Sequence, residues 1–330
     1  MEYTTLGRTG LNVSVAGLGC GGFSRLGMGT GGTEEAAIGL IRESIDLGVN
    51  LFDTAASYGT EPVLGKAISG VPRERVVICT KAPFGISNPG ATPEKAVASL
   101  DRSLKELGTG YIDVYQLHGI KPDAYDHAFQ VIAPALLREK EKGKFRFLGI
   151  TETAPNDPRH EMVQRAAPDG VWDVAMLAFH MMNQNARQLA FPLTRKHAVG
   201  TLLMFAVRNI FSKPDRLAGT MRELADAGEV PRALADDPDP LGFLSHAGGA
   251  TSIIDAAYRF VRHEPGVDVV LFGTGSRDHL RSNIASILKP PLPAADCEKL
   301  TSLFGHLAGV GLDAPHLTRL SRSSGEGGPR

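Results

Sequence analysis

Short apolar runs alternate with amphipathic stretches along most of this chain, and this alternation limits the possible folds more than any other feature. The runs carry apolar residues at successive positions, as is typical of strands with both faces buried. A helical pattern follows each run, so every pair predicts a strand and a crossover helix that returns the chain to the same end of a parallel sheet. The predicted strands are 15–20, 50–53, 76–81, 112–117, 145–151, 173–178, 200–205 and 267–271.

The segments between these strands contain helix start and stop signals. Thr33 is a candidate N-cap, Gly48 is a stop, and Pro93 stands in the first turn of another helix. Pro134 is expected to kink its helix. The predicted helices are 33–48, 61–69, 92–107, 128–142, 157–166, 186–196, 251–262, 277–288 and 296–307.

Eight strand–helix units fit either a closed barrel or an open doubly wound sheet. The open sheet would favour a G-x-G-x-x-G segment that leads into a helix, but the nearest text, G-L-G-C-G-G at 17–22, has no helix directly after it. We therefore predict the α/β class and a (β/α)8 TIM barrel, with one domain over 1–310 and a flexible tail over 311–330. The G-R-T-G turn predicts an N-terminal hairpin at the far end of the barrel, and 208–249 forms a long connection after the seventh strand.

Composition narrows the partners and the compartment. The chain has 330 residues, 42% of them hydrophobic and 22% charged, and a net charge of -1, so we expect neither a nucleic-acid nor a membrane partner. Its three cysteines form no zinc-binding or disulfide pattern, and we predict no metal site. No signal-like or membrane-spanning apolar run is present, which predicts a cytoplasmic protein. A monomer and a small homo-oligomer both remain open.

Four polar side chains stand at the ends of three successive predicted strands: Asp53, Tyr58, Lys81 and His118. The C-terminal ends of barrel strands form one mouth, so we expect these groups to converge there. An ammonium beside a phenol lowers the phenol's pKa, so Lys81 would activate Tyr58 while Asp53 keeps Lys81 charged. His118 would orient a substrate oxygen. The set can donate a proton to a carbonyl oxygen but cannot supply a hydride, which implies a nicotinamide cofactor.

The same residues lie in segments that resemble the aldo-keto reductases, in particular bacterial members. G-V-N-L-F-D-T-A-A-S-Y-G resembles the family's signature, and Y-I-D-V-Y-Q-L-H resembles the segment that ends in its histidine. The opening L-G-R-T-G-L-N-V-S, the strand G-K-F-R-F-L-G-I-T and the loop F-G-T-G-S-R-D-H-L-R-S-N also resemble family segments. The resemblance implies a (β/α)8 barrel and reversible reduction of an aldehyde or ketone with NADP(H), NAD(H) being the alternative. Tyr58 would be the general acid, assisted by Lys81, Asp53 and His118.

The resemblance also implies where nicotinamide is held, although this chain departs from the family there. Thr151 and Glu152 stand where the family has Ser or Thr followed by Asn to hold the carboxamide. Met176 replaces a glutamine. Met204 replaces a stacking tyrosine, and Phe205 follows it.

The loop after the last strand is the predicted phosphate site. Backbone amides of 273–275 and the following helix N-terminus favour an anion, and Arg277 and Arg281 would add charge for a 2'-phosphate. The predicted cofactor-binding residues are Gly21, Gly22, Phe23, Asp53, Thr151, Glu152, Met176, Met204, Phe205, Gly273, Thr274, Gly275, Ser276, Arg277, Arg281 and Asn283.

The substrate mouth is expected to be partly apolar, with Phe23, Phe84 and Phe179 as candidate lining, although core packing is the better reading of Phe179. The expected substrate is a small carbonyl or a sugar-like compound. Two functions remain open: an enzyme, or an NADP-binding redox-sensing subunit of the same fold with little turnover. A barrel hydrolase is disfavoured because no nucleophile–base pair or metal cluster is visible.

Overall fold

The structure of the chain, a computed structural model, describes residues 1–83 and 90–312. Eight parallel strands form a closed barrel in chain order, and the last pairs with the first through Val270 and Ala16. The barrel prediction is thereby confirmed, and the open sheet is wrong. The barrel strands are β3 (Ala16–Gly19), β4 (Leu51–Asp53), β5 (Val77–Pro83), β6 (Ile112–Ile120), β7 (Phe145–Glu152), β8 (Val174–Ala178), β9 (Gly200–Met204) and β10 (Val269–Phe272).

Helices surround the barrel, and local capping explains where several of them begin. The Thr33 hydroxyl accepts from the Ala36 N–H at the start of the first helix, as predicted. The α-helices of the described chain are α1 (Glu34–Asp46), α2 (Glu61–Ile68), α3 (Pro93–Leu107), α4 (Tyr125–His127), α5 (Ala133–Glu141), α6 (Glu161–Ala166), α7 (Ala186–Leu189), α8 (Phe191–Lys196), α9 (Asn209–Ser212), α10 (Pro214–Asp226), α11 (Arg232–Asp236), α12 (Ile253–Arg262), α13 (Arg277–Ile287) and α14 (Ala294–Phe304).

Three predicted helices differ from the structure for identifiable reasons. The helix predicted over 157–166 begins only at Glu161, because the Asp157 carboxylate caps it by accepting from the N–H groups of residues 161 and 162. A proline has no N–H to donate, so the 186–196 stretch is divided into α7 and α8 near Pro192. A π-helical turn (Ala128–Ile132) precedes Pro134 in the 128–142 stretch.

The connection over 208–249 is largely helical and contains α9, α10, α11 and the 3-10 turn Gly242–Leu244. Leu217 and Met221 of α10 are buried. The sequence shows little periodicity here because prolines divide the segment into short pieces.

The N-terminal hairpin, predicted from its G-R-T-G turn, is present. Strands β1 (Tyr3–Thr5) and β2 (Asn12–Ser14) pair antiparallel, and buried Leu6 packs in the inner barrel cluster. Arg8 bonds the Asp173 carboxylate at 3.1 Å and donates to the carbonyls of 170, 172 and 197. The hairpin therefore packs across the end of the barrel opposite the mouth.

At the other terminus, Leu312, the last residue that the structure describes, is buried, so the start of the predicted tail belongs to the packed structure. Phe84 and residues 313–330, the rest of that tail, lie outside the described residues. No helix in the two described ranges is long and apolar enough to cross a lipid bilayer.

Candidate active site

Asp53 and Lys81 form a buried ion pair where β4 and β5 end. The Nζ of Lys81 donates to both carboxylate oxygens of Asp53 at 2.7 Å and to the carbonyl of Thr54 at 2.8 Å. An ammonium has three hydrogens, and these three acceptors match them. Such complete pairing is what allows two charges to remain buried.

Gln116 is a further member of this group that the sequence prediction missed. Its side-chain amide lies 3.4 Å from Asp53 Oδ1, and the residue is fully buried. Side chains two residues apart on a strand share a face, so Gln116 and His118 both face the inside of the barrel. That spacing within Y-Q-L-H was the available signal.

Tyr58 and His118 complete the convergence. The Tyr58 hydroxyl lies 3.3 Å from His118 Nε2, and the two rings are almost perpendicular, with centroids 5.5 Å apart. Lys81 Nζ lies 5.3 Å from the centre of the Tyr58 ring. The structure therefore brings all four predicted proton-transfer residues together at one point of the mouth.

The position of Tyr58 depends on backbone contacts in its loop and on one glycine. The Thr54 N–H donates to the carbonyl of Cys79 and the Ala56 N–H to that of Lys81, which ties the loop to β5. A Cβ on Gly21 would lie 2.4 Å from the Tyr58 ring, closer than any real contact allows. Gly21, predicted as a cofactor contact, is thus also a packing surface for Tyr58.

Burial and charge oppose each other in setting the proton affinities here. Burial raises the pKa of Tyr58, and the Lys81 ammonium acts in the other direction without cancelling it. Burial alone would lower the pKa of Lys81, but the Asp53 carboxylate beside it leaves that pKa raised. Lys81 therefore acts on Tyr58 in the predicted direction, yet the phenol keeps its proton at neutral pH.

On the other side of the mouth, the Glu152 side chain is bound by neighbouring protein groups and does not face open space. Its carboxylate lies 2.8 Å from His160 Nδ1 and accepts from the Ala178 N–H at 2.8 Å. His160 Nε2 lies 3.0 Å from the side-chain oxygen of Asn185. Burial raises the pKa of Glu152, and the nearby His160 acts in the lowering direction without cancelling this effect. Burial alone would lower the pKa of His160, but the Glu152 carboxylate leaves that pKa raised. Oxygen acceptors on both ring nitrogens suit a protonated His160.

Thr151 is also engaged: its hydroxyl oxygen accepts from the Gly119 N–H at 2.7 Å, which leaves its own hydrogen available to donate. Met176 lies in the apolar cluster inside the barrel. Met204 and Phe205 pack against a small apolar cluster formed by Ala154, Ala178 and Leu312. Phe205 has φ 72, in the left-handed region that a bulky residue adopts only under constraint.

Aromatic residues border the open part of the mouth. Phe23 is 51% exposed. The Arg208 guanidinium lies 4.1 Å from the Phe205 ring centre and 5.7 Å from that of Phe23. Phe179, the other described candidate for the lining, is instead core, stacked on Phe260 with ring centroids 5.6 Å apart.

The predicted phosphate loop follows β10 directly and leads into α13. The Ser276 hydroxyl caps this helix by accepting from the His279 N–H, and the Thr274 hydroxyl accepts from the Ser276 N–H at 3.0 Å. The loop lies against the segment after β3, because a Cβ on Gly275 would approach the Cα of Gly27 to 2.4 Å. Asn283 is buried on the same helix.

Arg277 and Arg281 are bound to Glu43 of α1 instead of extending into that loop. Arg281 bonds one carboxylate oxygen at 2.7 Å, and Arg277 lies 3.2 Å from the other. Gly39 makes room for this arrangement, because a Cβ there would lie 2.5 Å from the Arg277 guanidinium. Both arginine side chains remain 57% exposed.

A family profile matches residues 17–304, under the description aldo/keto reductase family. This match covers well over half of the chain, which therefore belongs to the aldo/keto reductase family of oxidoreductases. L-galactose dehydrogenase of Arabidopsis thaliana is 32% identical over 208 residues, and the alignment spans 61% of this chain and 64% of that relative. Aldo-keto reductase YhdN of Bacillus subtilis (strain 168) is 27% identical over 290 residues, or 83% of this chain and 85% of its own.

Solved structures show the same fold. Aldo-keto reductase AKR11C1 from Bacillus halodurans superposes with a TM-score of 0.70 at 23% identity, with 92% of this chain and 96% of that chain covered. A putative aldo-keto reductase from Pseudomonas superposes with a TM-score of 0.64 at 26% identity, over 86% and 93% of the two chains.

The residues present fit a nicotinamide cofactor, the kind of cofactor that members of this family use. Gly22 borders open space, with no atom within 4 Å of where its Cβ would be. The 273–276 loop offers backbone amides at a helix N-terminus, which suit a phosphate. Thr151 keeps a hydroxyl hydrogen for a carboxamide oxygen, whereas Glu152 has no hydrogen to donate when ionised.

Proposed function

We propose that the chain interconverts an aldehyde or ketone and the corresponding alcohol with NADP(H), and that Tyr58 is the general acid and base. One observation carries the proposal: the half-buried Tyr58 phenol lies 3.3 Å from His118 Nε2, with the Lys81–Asp53 pair behind it. A carbonyl oxygen bound between the Tyr58 hydroxyl and His118 would meet both groups at hydrogen-bonding distance. The cofactor, when bound, supplies the hydride to the carbonyl carbon.

The protein's own residues account for the proton. Tyr58 gives its hydroxyl proton to the carbonyl oxygen as negative charge develops there, and the nearby Lys81 ammonium stabilises the phenolate that remains. The raised pKa of Tyr58 keeps the phenol protonated, which favours reduction of a carbonyl over oxidation of an alcohol near neutral pH.

NADP(H) is the proposed cofactor because two arginines adjoin the phosphate loop. Both are neutralised in part by Glu43, and both are exposed enough to turn toward a 2'-phosphate. NAD(H) has no 2'-phosphate and would need neither arginine. How strongly Glu43 binds the two arginines therefore decides the preference for NADP(H) over NAD(H).

For the substrate we propose a small carbonyl or sugar-like compound. Curated relatives include an L-galactose dehydrogenase and a versiconal hemiacetal acetate reductase, two names that mention a sugar and a hemiacetal. Phe23 and Arg208 at the mouth offer one apolar and one cationic surface for such a molecule.

The test is NADPH and NADH oxidation with a panel of simple aldehydes, ketones and reducing sugars, comparing the wild type with Tyr58→Phe. We expect the variant to bind NADPH normally and to lose about 10²–10⁴-fold in turnover. Equal slow rates in both proteins, with intact NADPH binding, would instead support the redox-sensing subunit.

A further inference from the structure

His118 lies on an irregularity of the barrel. On β6 and β7, Leu117 pairs with Ile150 and Ile120 pairs with Glu152, so two residues of β6 stand opposite one residue of β7. Those two are His118 and Gly119, and the one is Thr151. Such a β-bulge bends its strand locally and changes the direction of a side chain, and bulges are frequent beside active sites.

The bulge depends on a left-handed glycine. Gly119 has φ +68, and a Cβ at this position would approach the Thr153 side chain to 3.2 Å. The extra residue of a bulge loses its regular ladder bond, so its N–H needs another acceptor. The buried Thr151 hydroxyl is that acceptor for the Gly119 N–H, at 2.7 Å.

We propose that Thr151 is a positioning residue for His118: its hydroxyl holds the bulge that aims the imidazole at the Tyr58 hydroxyl. The inference rests on the proposed function, since it gives His118 a substrate oxygen to orient. Without the hydroxyl, the part-buried Gly119 N–H loses its acceptor, and the backbone at 118 and 119 is no longer held in the bulge. Because a bulge bends its strand locally and sets the direction of a side chain, loss of the bulge would move the imidazole relative to the Tyr58 hydroxyl.

This role differs measurably from holding the nicotinamide carboxamide. A carboxamide contact supports cofactor affinity. A contact that orients His118 supports turnover and leaves the cofactor's Kd unchanged. Thr151 can perform both, since its oxygen serves Gly119 while its hydrogen stays free to donate.

The experiment compares Thr151→Val, which removes the acceptor at nearly constant volume, with Thr151→Ser, which keeps it. Thr194→Val is the matched control, because it removes another buried hydroxyl, one bonded to the Phe191 carbonyl on a surrounding helix. We expect Thr151→Val to lower kcat on the order of tenfold or more, as misplacement of a reacting group does, beyond any change in the Kd for NADPH that loss of a carboxamide contact causes. Thr151→Ser, which keeps the acceptor, should lose less kcat than Thr151→Val, and Thr194→Val should stay near the wild type.

A second readout needs neither cofactor nor turnover. The histidine ring resonances of the cofactor-free protein report the position of His118, which is assigned by its loss in His118→Gln. We expect this resonance to move in Thr151→Val and to stay in Thr194→Val. If valine prevents folding, Thr151→Cys carries the same test, because a thiol is a weak acceptor.

An unchanged kcat in Thr151→Val, or a weakened Kd for NADPH with kcat intact, would overturn the inference, as would an unmoved His118 resonance. A wild-type protein without carbonyl turnover would instead refute the proposed function, and the resonance would still decide whether Thr151 places His118.

Discussion

The two sides of the barrel mouth differ in what their charged side chains are bound to. On the side of β4, β5 and β6, the charges of Lys81 and Asp53 are paired with each other, and Tyr58 and His118 face each other beside them. On the side of β7 to β10, Glu152 is bound to His160, and two arginines are bound to Glu43. Under the proposed function, the first side would thus be arranged for proton transfer before any ligand binds. Under the same proposal, the second side would bind the cofactor through backbone amides, a hydroxyl and apolar surface, and through arginines whose ion pairs with Glu43 must first open.

The largest expected effect tests the buried ion pair of the first side, between Lys81 and Asp53. Lys81→Met leaves the Asp53 carboxylate buried without its cationic partner, so the free energy of unfolding should fall by about 3–5 kcal/mol. Turnover should fall by about 10²–10⁴-fold, since Tyr58 loses the charge that stabilises its phenolate. Urea unfolding and NADPH oxidation measure the two effects.

The control is Lys81→Met combined with Asp53→Asn, which removes the unpaired charge. The double variant should recover part of the stability and none of the turnover. Recovery of both would mean that Lys81 serves only to hold the fold.

Gly21→Ala tests whether the first side of the mouth stays active when the Tyr58 ring is displaced. The added methyl overlaps the Tyr58 ring, so we expect kcat to fall about tenfold. Gly19→Ala is the matched control two residues earlier, where a Cβ meets its nearest neighbour at an ordinary 3.4 Å. Equal activity of both variants would contradict the packing role of Gly21, whereas weaker NADPH binding in Gly21→Ala would favour a cofactor contact.

The Glu152–His160 pair predicts a pH dependence that belongs to the second side. The pKa of His160 is raised in the folded protein, so its contribution to stability is complete below about pH 6.5, the unfolded value, and is lost as pH rises through the folded value. Relative to His160→Gln, the wild type should lose at most about 1.4 kcal/mol per pH unit in that window. Urea unfolding of both proteins from pH 6 to pH 9 measures the difference, and parallel curves would exclude a charged His160.

The smallest expected effect concerns Glu43. Glu43→Gln removes the carboxylate shared by Arg277 and Arg281, although Asp278 stays 3.5 Å from Arg281. The Kd for NADPH should therefore tighten about two- to fivefold while the Kd for NADH stays constant, as suits exposed ion pairs. Glu34→Gln is the control, because it breaks an exposed pair with Lys66 near the other end of the same helix. Equal changes for both cofactors would show that the arginines do not reach a 2'-phosphate.

The sequence predicts the first side well for a geometric reason. Parallel strands of a closed barrel end at one mouth, so Asp53, Lys81 and His118 had to converge once the strands were recognised. Gln116 could have been added from its spacing to His118 alone.

The second side was harder to predict because its contacts depend on backbone detail and on distant pairs. His160, which bonds Glu152, itself has φ 57 and lies just before a helix that starts four residues later than its sequence pattern predicts. Arg281 meets Glu43 across 238 residues of sequence. The bulge at His118 was also missed, although the glycine of Q-L-H-G-I, inside an otherwise apolar strand, was an available signal.

The order in which the chain is synthesised affects when the N-terminal hairpin and the β3–β10 pairing, which closes the barrel, can form. The first residues to be made contact late ones: Arg8 bonds Asp173, 165 positions further on, and β3 pairs with β10 through Val270. During translation, the exposed edge of β3 therefore waits for almost the whole chain before its second partner exists. An unpaired edge of this kind favours misassembly with other chains. The nascent protein is most vulnerable just before β10 emerges from the ribosome, and slow translation ahead of that strand would lengthen the exposure.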